Sequence, residues 1–395
     1  MISNRILNLE SSATLAVAAR VAEMRAAGID VIGLTLGEPD FATPDHIKEA
    51  AKKAVDENFS HYGPVPGYEW LRKAICKKLK DENGLDYQPN QIVVSTGAKQ
   101  AICNTVLALV NPGDEVILPT PCWVSYAEMV KLAEGVNVMV PTTYESGYKL
   151  TAAQLEAAIT PRTRLLMLCS PNNPTGSIYS REELAALAVV LERHPEIYII
   201  SDEIYEHLNY VGRHYSLAEY DALKERVIII NGVSKAYAMT GYRIGWQASS
   251  VEVANACKKL QGQYTSCSCS VAEKAVEAAY LGPQDCVEEM RQAFDRRRHL
   301  VCELAAEIPG LEFTMPEGAF YLFPRVKKYF GKSYGGKTMT CSMDIVEFLL
   351  NEGHVATVAG SAFGDDDCIR LSYATDENTL REALRRMKET LAKLQ

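Results

Sequence analysis

The stretch Arg226–Gly245 reads RVIIINGVSKAYAMTGYRIG. Its opening is a β-branched apolar run of the kind buried within a parallel sheet, where both faces are covered. Lys235 stands just past the end of that run. An amine so close to a core strand is costly unless it is solvated, paired or used chemically. Arg243 follows on the same connection. An exposed loop charge would account for either cation alone, so the other segments must decide.

Upstream, short apolar runs alternate with longer helical patterns. QIVVS (91–95) precedes AKQAICNTVLALV, and DEVILP (114–119) precedes PCWVSYAEMVKLAEG. TRLLMLCS (163–170) leads through a loop to SREELAALAVVLERH, and EIYIISD (196–202) precedes the opening stretch. Strands separated by helices of this length predict an α/β fold, with a mostly parallel central sheet and helices on both faces. Sites in such sheets gather at the carboxyl ends of strands. The last hundred or so residues mix a long charged helix with EFTMPEGAFYLFPRV, SMDIVEFLLNEGHVATVAG and CIRLSYA, which predicts a smaller α+β domain. A helical pattern around residues 12–27 is expected to pack with it. The expected division is an N-terminal segment 1–45, a large domain 46–285 and a small domain 286–395.

Composition narrows the partners. The 395 residues are 47% hydrophobic and 23% charged, with a net charge of -9. That acidic balance argues against nucleic acid or an anionic membrane as the main partner. No apolar run approaches the roughly 18 to 20 residues that span a bilayer. Glu10 interrupts any secretory pattern, and Glu10 with Glu23 weighs against a mitochondrial presequence. Eleven cysteines without such a signal point to reduced thiols and a cytoplasmic setting. Cys267 and Cys269 form a C-x-C without a second pair, so no metal is expected.

Four motifs carry chemistry. In SDEIY (201–205), Asp202 ends an apolar strand and needs a cationic or hydrogen-bonding partner, although a lone Asp there also reads as a helix cap. Tyr205 reads alone as a core aromatic. SPNNPTG (170–176) imposes a rigid loop that would present Asn172 and Asn173 to the cleft. STGAKQA (95–101) ends a strand and starts a helix, exposing backbone N–H groups to an anion. The glycine-rich nucleotide motifs are missing from these junctions. Finally, a desolvated Lys235 would have a lowered pKa and form imines with aldehydes, while Arg243 offers a fork for phosphate. Amine, acid, phenol, amide, arginine, an anion-binding helix start and the loop aromatic Trp123 together match what pyridoxal phosphate requires.

Further motifs sharpen this: LTLGEPDF (34–41), HYGPVPGYEWLR (61–72), PCWVSY (121–126), SDEIYEHL, SKAYAMTGYRIG and RLSYA (370–374). On these, with TGAKQA and SPNNPTG, the chain resembles the class I/II aminotransferases of the fold-type-I pyridoxal-phosphate enzymes over essentially its full length. It is most similar to their bacterial-type aspartate aminotransferase branch. The resemblance implies that Lys235 holds the coenzyme aldehyde and later moves the Cα proton. It implies Asp202 against the pyridinium, Tyr205 and Asn173 at the ring oxygen, and Trp123 stacked on the ring. Gly97, Ala98, Lys99, Ser234 and Arg243 become phosphate neighbours, and Tyr62 reaches the phosphate of a second subunit in a homodimer. Arg370, with Asn173 and Gly37, would take the substrate α-carboxylate.

Three departures stand out. Gly232 occupies a position where relatives commonly carry serine, and Cys122 one where tyrosine is common. No arginine occurs between Arg243 and Arg291, so Lys99 is the candidate reader of a distal carboxylate. The implied reaction is ping-pong transamination from aspartate to 2-oxoglutarate. The alternatives are a broader transaminase (aromatic, alanine or prephenate), a β-lyase on a sulfur amino acid, and a non-catalytic coenzyme-binding protein.

Overall fold

The structure, a computed structural model, describes residues 2–10 and 13–395. Seven strands build the central sheet: β1 (Ile92–Ser95), β2 (Glu115–Thr120), β3 (Val136–Pro141), β4 (Thr163–Cys169), β5 (Tyr198–Asp202), β6 (Val227–Gly232) and β7 (Gly245–Ala248). Their spatial order is β1-β7-β6-β5-β4-β2-β3. All run parallel except β7, which is antiparallel to both its neighbours. The fold expected from the alternating pattern is therefore present, with a reversed strand and an edge strand added.

The apolar runs form strands because both sheet faces are covered. Successive side chains point to opposite faces, so Ile228, Ile230, Ile200 and Met167 join one core. Val227, Ile229, Ile199 and Leu166 join the other. Edge strand β3 differs, because Val136 and Met139 are exposed and Pro141 ends it. A proline is tolerated there since no further strand needs its missing N–H. That broken pattern is why β3 escapes sequence reading. The helix Arg181–Glu192 starts at a reciprocal cap, with Ser180 N donating to Glu183 Oε2 at 2.8 Å and Glu183 N to Ser180 Oγ at 3.2 Å. After β2 the helix begins only at Ser125, leaving Cys122 and Trp123 on the connecting loop.

The C-terminal part contains helices Asp285–Ala306, Ser342–Gly353 and Glu377–Leu391. They accompany an antiparallel sheet of Val358–Ala359, Ile369–Ser372 and Tyr321–Leu322. The N-terminal helix spans Ala13–Ala26; residue 12 of the expected helix lies outside the described residues. Beyond that helix, Ile32 and Gly33 pair in parallel with Val355 and Ala356. Val21, Met24 and Val31 pack with Leu350 and Ala356.

Ile229, fully buried at the middle of β6, tests the two-core account. Ile229→Ala is expected to cost about 2–5 kcal/mol through lost burial and a residual cavity. Urea unfolding should show a lower midpoint at unchanged slope; an unchanged midpoint would contradict the account.

Candidate active site

A cavity of about 330 Å³ opens at the carboxyl edge of the sheet, a volume suited to a small organic ligand. Lys235, Asp202, Tyr205, Asn173, Trp123 and Arg370 all line it. So do Gly37, Ala98, Lys99, Ser234 and Arg243. Strand direction explains the convergence. Strands β5 and β6 end at this edge and deliver Asp202 and the Lys235 turn. Strand β7 runs the other way, so Arg243 arrives at the same edge just before that strand begins.

Lys235 Nζ donates to the Gly37 carbonyl at 2.5 Å. Burial pushes its pKa down from 10.5 to about 8, with Arg243 and Arg370 adding to the effect and Glu38 opposing it. A useful fraction of the amine is therefore neutral near neutral pH. Asp202 moves the opposite way for the same reason. Burial raises its carboxyl from 3.8 to about 6, while the Tyr126 hydroxyl, donating to Oδ2 at 2.6 Å, and the Ile204 N–H, donating to Oδ1 at 3.3 Å, favour the charged form. The helix-cap reading of Asp202 thus gives way to a carboxylate facing the cavity.

At the opposite wall, Arg370 is almost wholly buried. Its Nη1 donates to Asn173 Oδ1 at 2.9 Å and its Nη2 to the Thr35 carbonyl at 2.6 Å. The guanidinium lies 4.5 Å from the Tyr321 ring centroid and 4.9 Å from that of Phe363. Its Nε is buried without a partner, a donor that an incoming oxygen would satisfy. Lys99 Nζ lies 4.9 Å over the Trp123 ring, and burial beside Arg243 lowers its pKa.

Gly97 does not line the cavity but shapes it. It caps the helix Ala98–Leu109 at φ 84°, and a Cβ there would lie 2.5 Å from Arg243 Nη2. Glycine is thus required for the arginine to sit against the helix start. That cradle of helix N–H groups and a guanidinium suits a phosphate, while the flat face of Trp123 and the buried acid suit a pyridine ring. The residues fit pyridoxal phosphate.

Two predicted positions behave differently. Tyr62 is 91% exposed and lines a separate groove with Phe59, Cys267 and Cys269, away from the cavity of its own chain. Asn172 turns from the cleft and serves its loop, its Oδ1 accepting from Thr175 N at 3.2 Å and Thr175 Oγ1 at 3.0 Å. The departure at Gly232 has a steric reason. A Cβ there would lie 2.8 Å from Gly245 Cα and 2.9 Å from the Ile244 carbonyl.

The structure also adds residues that sequence reading passed over. Tyr126 holds Asp202, and the Tyr321 hydroxyl lies 2.8 Å from that of Tyr205. Glu38 enters the cavity and accepts from Thr240 Oγ1 at 2.9 Å. Both tyrosines fall inside quoted motifs, yet nothing local marks their hydroxyls as functional.

The Asp202 shift makes a stability prediction. Its folded pKa is raised, so the protonated form stabilises the native state fully below pH 3.8, and that contribution is lost as pH rises past 6. Asp202→Asn should therefore stabilise the coenzyme-free chain by about 1–3 kcal/mol at pH 7.5, with the gain shrinking toward pH 4. Urea titrations across pH measure this; a gain independent of pH would refute the buried-carboxylate account.

The model for "Aminotransferase class I and II" matches residues 29–387. An aspartate/prephenate aminotransferase of Cereibacter sphaeroides is 48% identical over 100% of this chain and 99% of its own length. An aspartate aminotransferase of Geobacillus stearothermophilus is 46% identical over 98% of each chain. Among solved structures, the aspartate aminotransferase from Rhizobium meliloti aligns with a TM-score of 0.97 at 43% identity, covering 100% of both chains. That from Thermus thermophilus with maleate aligns at 0.93 and 41%, covering 99% of both. With the amine, the acid and the arginine gathered at one sheet edge, these matches assign the chain to the class I and II aminotransferases.

Proposed function

We propose that this aminotransferase moves the amino group of aspartate to 2-oxoglutarate by a ping-pong mechanism, with Lys235 as the moving base. The observation that carries the reading is the cavity's charge layout. The half-buried Lys235 amine and the buried Asp202 carboxylate line one cavity with Arg370 and Lys99, cations suited to the two carboxylates of a dicarboxylic substrate.

Enzymes of this family use pyridoxal phosphate, which supplies an aldehyde for the amine and a ring that accepts electrons from the substrate Cα. The backbone of Gly97, Ala98 and Lys99, with Ser234 and Arg243, would hold its phosphate, and Asp202 its ring nitrogen. Tyr205 and Asn173 would hold its phenolic oxygen, with Trp123 against its face. Arg370 grips the substrate α-carboxylate as a fork, assisted by Asn173 and the Gly37 backbone. Lys235, neutral in a useful fraction of molecules, removes the Cα proton and delivers it again on the far side of the exchange. Tyr126 keeps the Asp202 carboxylate aimed throughout. The N-terminal segment 1–45 and the small domain 286–395 close on the large domain 46–285 once the carboxylate is seated, which excludes water.

The exposure of Tyr62 supports a homodimer in which that tyrosine reaches the partner's phosphate. No helix among the described residues is long and apolar enough to cross a membrane. The cysteines are all free thiols, which suits a reducing compartment, and on that ground we assign the enzyme to the cytoplasm. The relatives named for both aspartate and prephenate favour prephenate as a second amino acceptor.

Lys235→Ala should fold, bind coenzyme and lose about 10²–10⁴-fold in kcat. Borohydride reduction of the wild type followed by peptide mapping should mark Lys235; a mark elsewhere would overturn the assignment. Lys99→Ala should lower kcat/KM for aspartate roughly tenfold to a hundredfold, as expected for losing a charged hydrogen bond. Alanine turnover should change little, and equal losses on both substrates would remove Lys99 as the distal reader.

A further inference from the structure

Behind the cavity wall lies a buried polar cluster that transamination does not call upon. The helix Glu69–Lys78 ends in Lys78, whose ammonium is buried and donates to Glu206 Oε1 and, at 2.7 Å, to Asn83 Oδ1. Asn83 Nδ2 donates to Glu206 Oε2 at 2.8 Å. Asn231 Nδ2 donates to Glu206 Oε1 at 2.6 Å, and Asn231 Oδ1 accepts from Gly232 N at 2.7 Å. Glu206 thus gathers three donors from two segments, Lys78 and Asn83 from one helical stretch and Asn231 from β6.

The chain positions of these groups matter. Glu206 directly follows Tyr205, in the turn that leaves β5 after Asp202. Asn231 and Gly232 end β6 and lead into Ser234 and Lys235. The carboxylate of Glu206 therefore ties the strand end that carries the acid to the strand end that carries the amine. The tie also has its own charge balance. Burial alone would raise the Glu206 pKa, but Lys78, His207 and His214 outweigh it and hold the carboxyl well below its ordinary range. Glu82 faces the same cluster, pairing with His207 at 2.8 Å and lying 3.4 Å from Lys78 Nζ. Ligating atoms of Glu82, Glu206 and His207 fall within 4.8 Å of one another, as do those of Glu203, Glu206 and His214. The Lys78 ammonium already supplies a cation to these carboxylates, so the cluster needs no metal for balance.

Energetics argue for a role beyond stability. An apolar pair of similar volume is often as stable as a buried ion pair, or more so. What apolar side chains lack is direction, because hydrogen bonds fix angles and dispersion contacts do not. We propose that Glu206, held by Lys78 and acting through Asn231, is a positioning residue that sets the Lys235 turn relative to the Asp202 turn. It thereby fixes the reach of the amine toward the substrate Cα. This rests on the reading of Lys235 as the moving base.

Two variants test it. Asn231→Ala removes the relay and leaves the ion pair in place. Lys78→Met with Glu206→Met replaces the pair by apolar groups. Each folded variant should show kcat lowered by about tenfold to a hundredfold, the loss expected from a misplacement near 1 Å, with KM changed far less. A second readout needs no turnover: in the coenzyme-free protein, the pH at which Lys235 becomes reactive to an acylating reagent is read by peptide mapping. Its midpoint should move by about half a pH unit or more as the amine leaves its fixed surroundings. Wild-type kcat and a wild-type acylation midpoint in folded Asn231→Ala would overturn the proposal, whether or not the double variant folds. The same result in a folded double variant would reduce the cluster to core filling. Failure of the base assignment itself would appear separately, as borohydride labelling of another lysine in the wild type.

Discussion

The structure turns on one opposition: a single low-dielectric edge holds a half-buried amine and a buried carboxylate. Burial disfavours each charge, so it lowers the Lys235 pKa and raises that of Asp202, drawing both toward neutral pH. Neither shift requires special chemistry beyond desolvation. What the protein must provide is a frame rigid enough to hold two uncomfortable groups in place. The two cores on either face of the sheet provide it, since strands buried on both sides cannot relax to let water reach the edge.

Close backbone approach completes the site. β7 is the one reversed strand of the sheet, and its reversal brings Arg243 to the cavity beside the start of the helix Ala98–Leu109. The geometry tolerates little at two positions. A Cβ on Gly245 would collide with the Ala98 backbone nitrogen, and one on Gly97 would press on the Arg243 guanidinium. Arg243 itself sits in the left-handed region at φ 54°, a conformation that non-glycine residues seldom adopt. The helix start, the reversed strand and the arginine therefore form a single unit, and the glycines at 97 and 245 are the spacers that let it assemble.

Much of this was legible from the residues. Fully buried strands announce themselves as apolar runs, so β1, β2, β4, β5 and β6 were readable, and each suspicious residue fell at a strand end. The half-exposed β3 lacks such a run, and the four-residue β7 is too short to show a period. Pattern alone could not settle Asp202 or Lys235, because each had a respectable bland explanation; their convergence decided it. Tyr126 and Tyr321 were invisible for a different reason. Tyr126 sits in the first turn of a helix, and its hydroxyl finds Asp202 only because β4 separates β2 from β5 by one strand. Tyr321 comes from a two-residue strand in the C-terminal part, so its meeting with Tyr205 is purely tertiary. Arg370 was found through family likeness, since no local signal distinguishes it from a strand-end charge.

The segment Thr35–Asp40 shows how binding avoids leaving buried donors unsatisfied. Its Thr35 carbonyl accepts from Arg370 and its Gly37 carbonyl from Lys235. Its Glu38 accepts from Thr240, and its Asp40 takes both Nη atoms of Arg297 at 2.6 and 2.9 Å. Two cations of the cavity wall, Lys235 and Arg370, are thus both held by one strap from the N-terminal part of the chain. A carboxylate arriving at Arg370 would meet the unpartnered Nε and could take the place of the Thr35 carbonyl at Nη2. Binding there would satisfy a buried donor rather than create an unsatisfied one. Asp40 and Arg297 meanwhile anchor the strap's far end to the helix Asp285–Ala306, well outside the cavity. The contacts that hold the cavity's cations and the contacts that anchor the strap are therefore different contacts, at opposite ends of the same short segment.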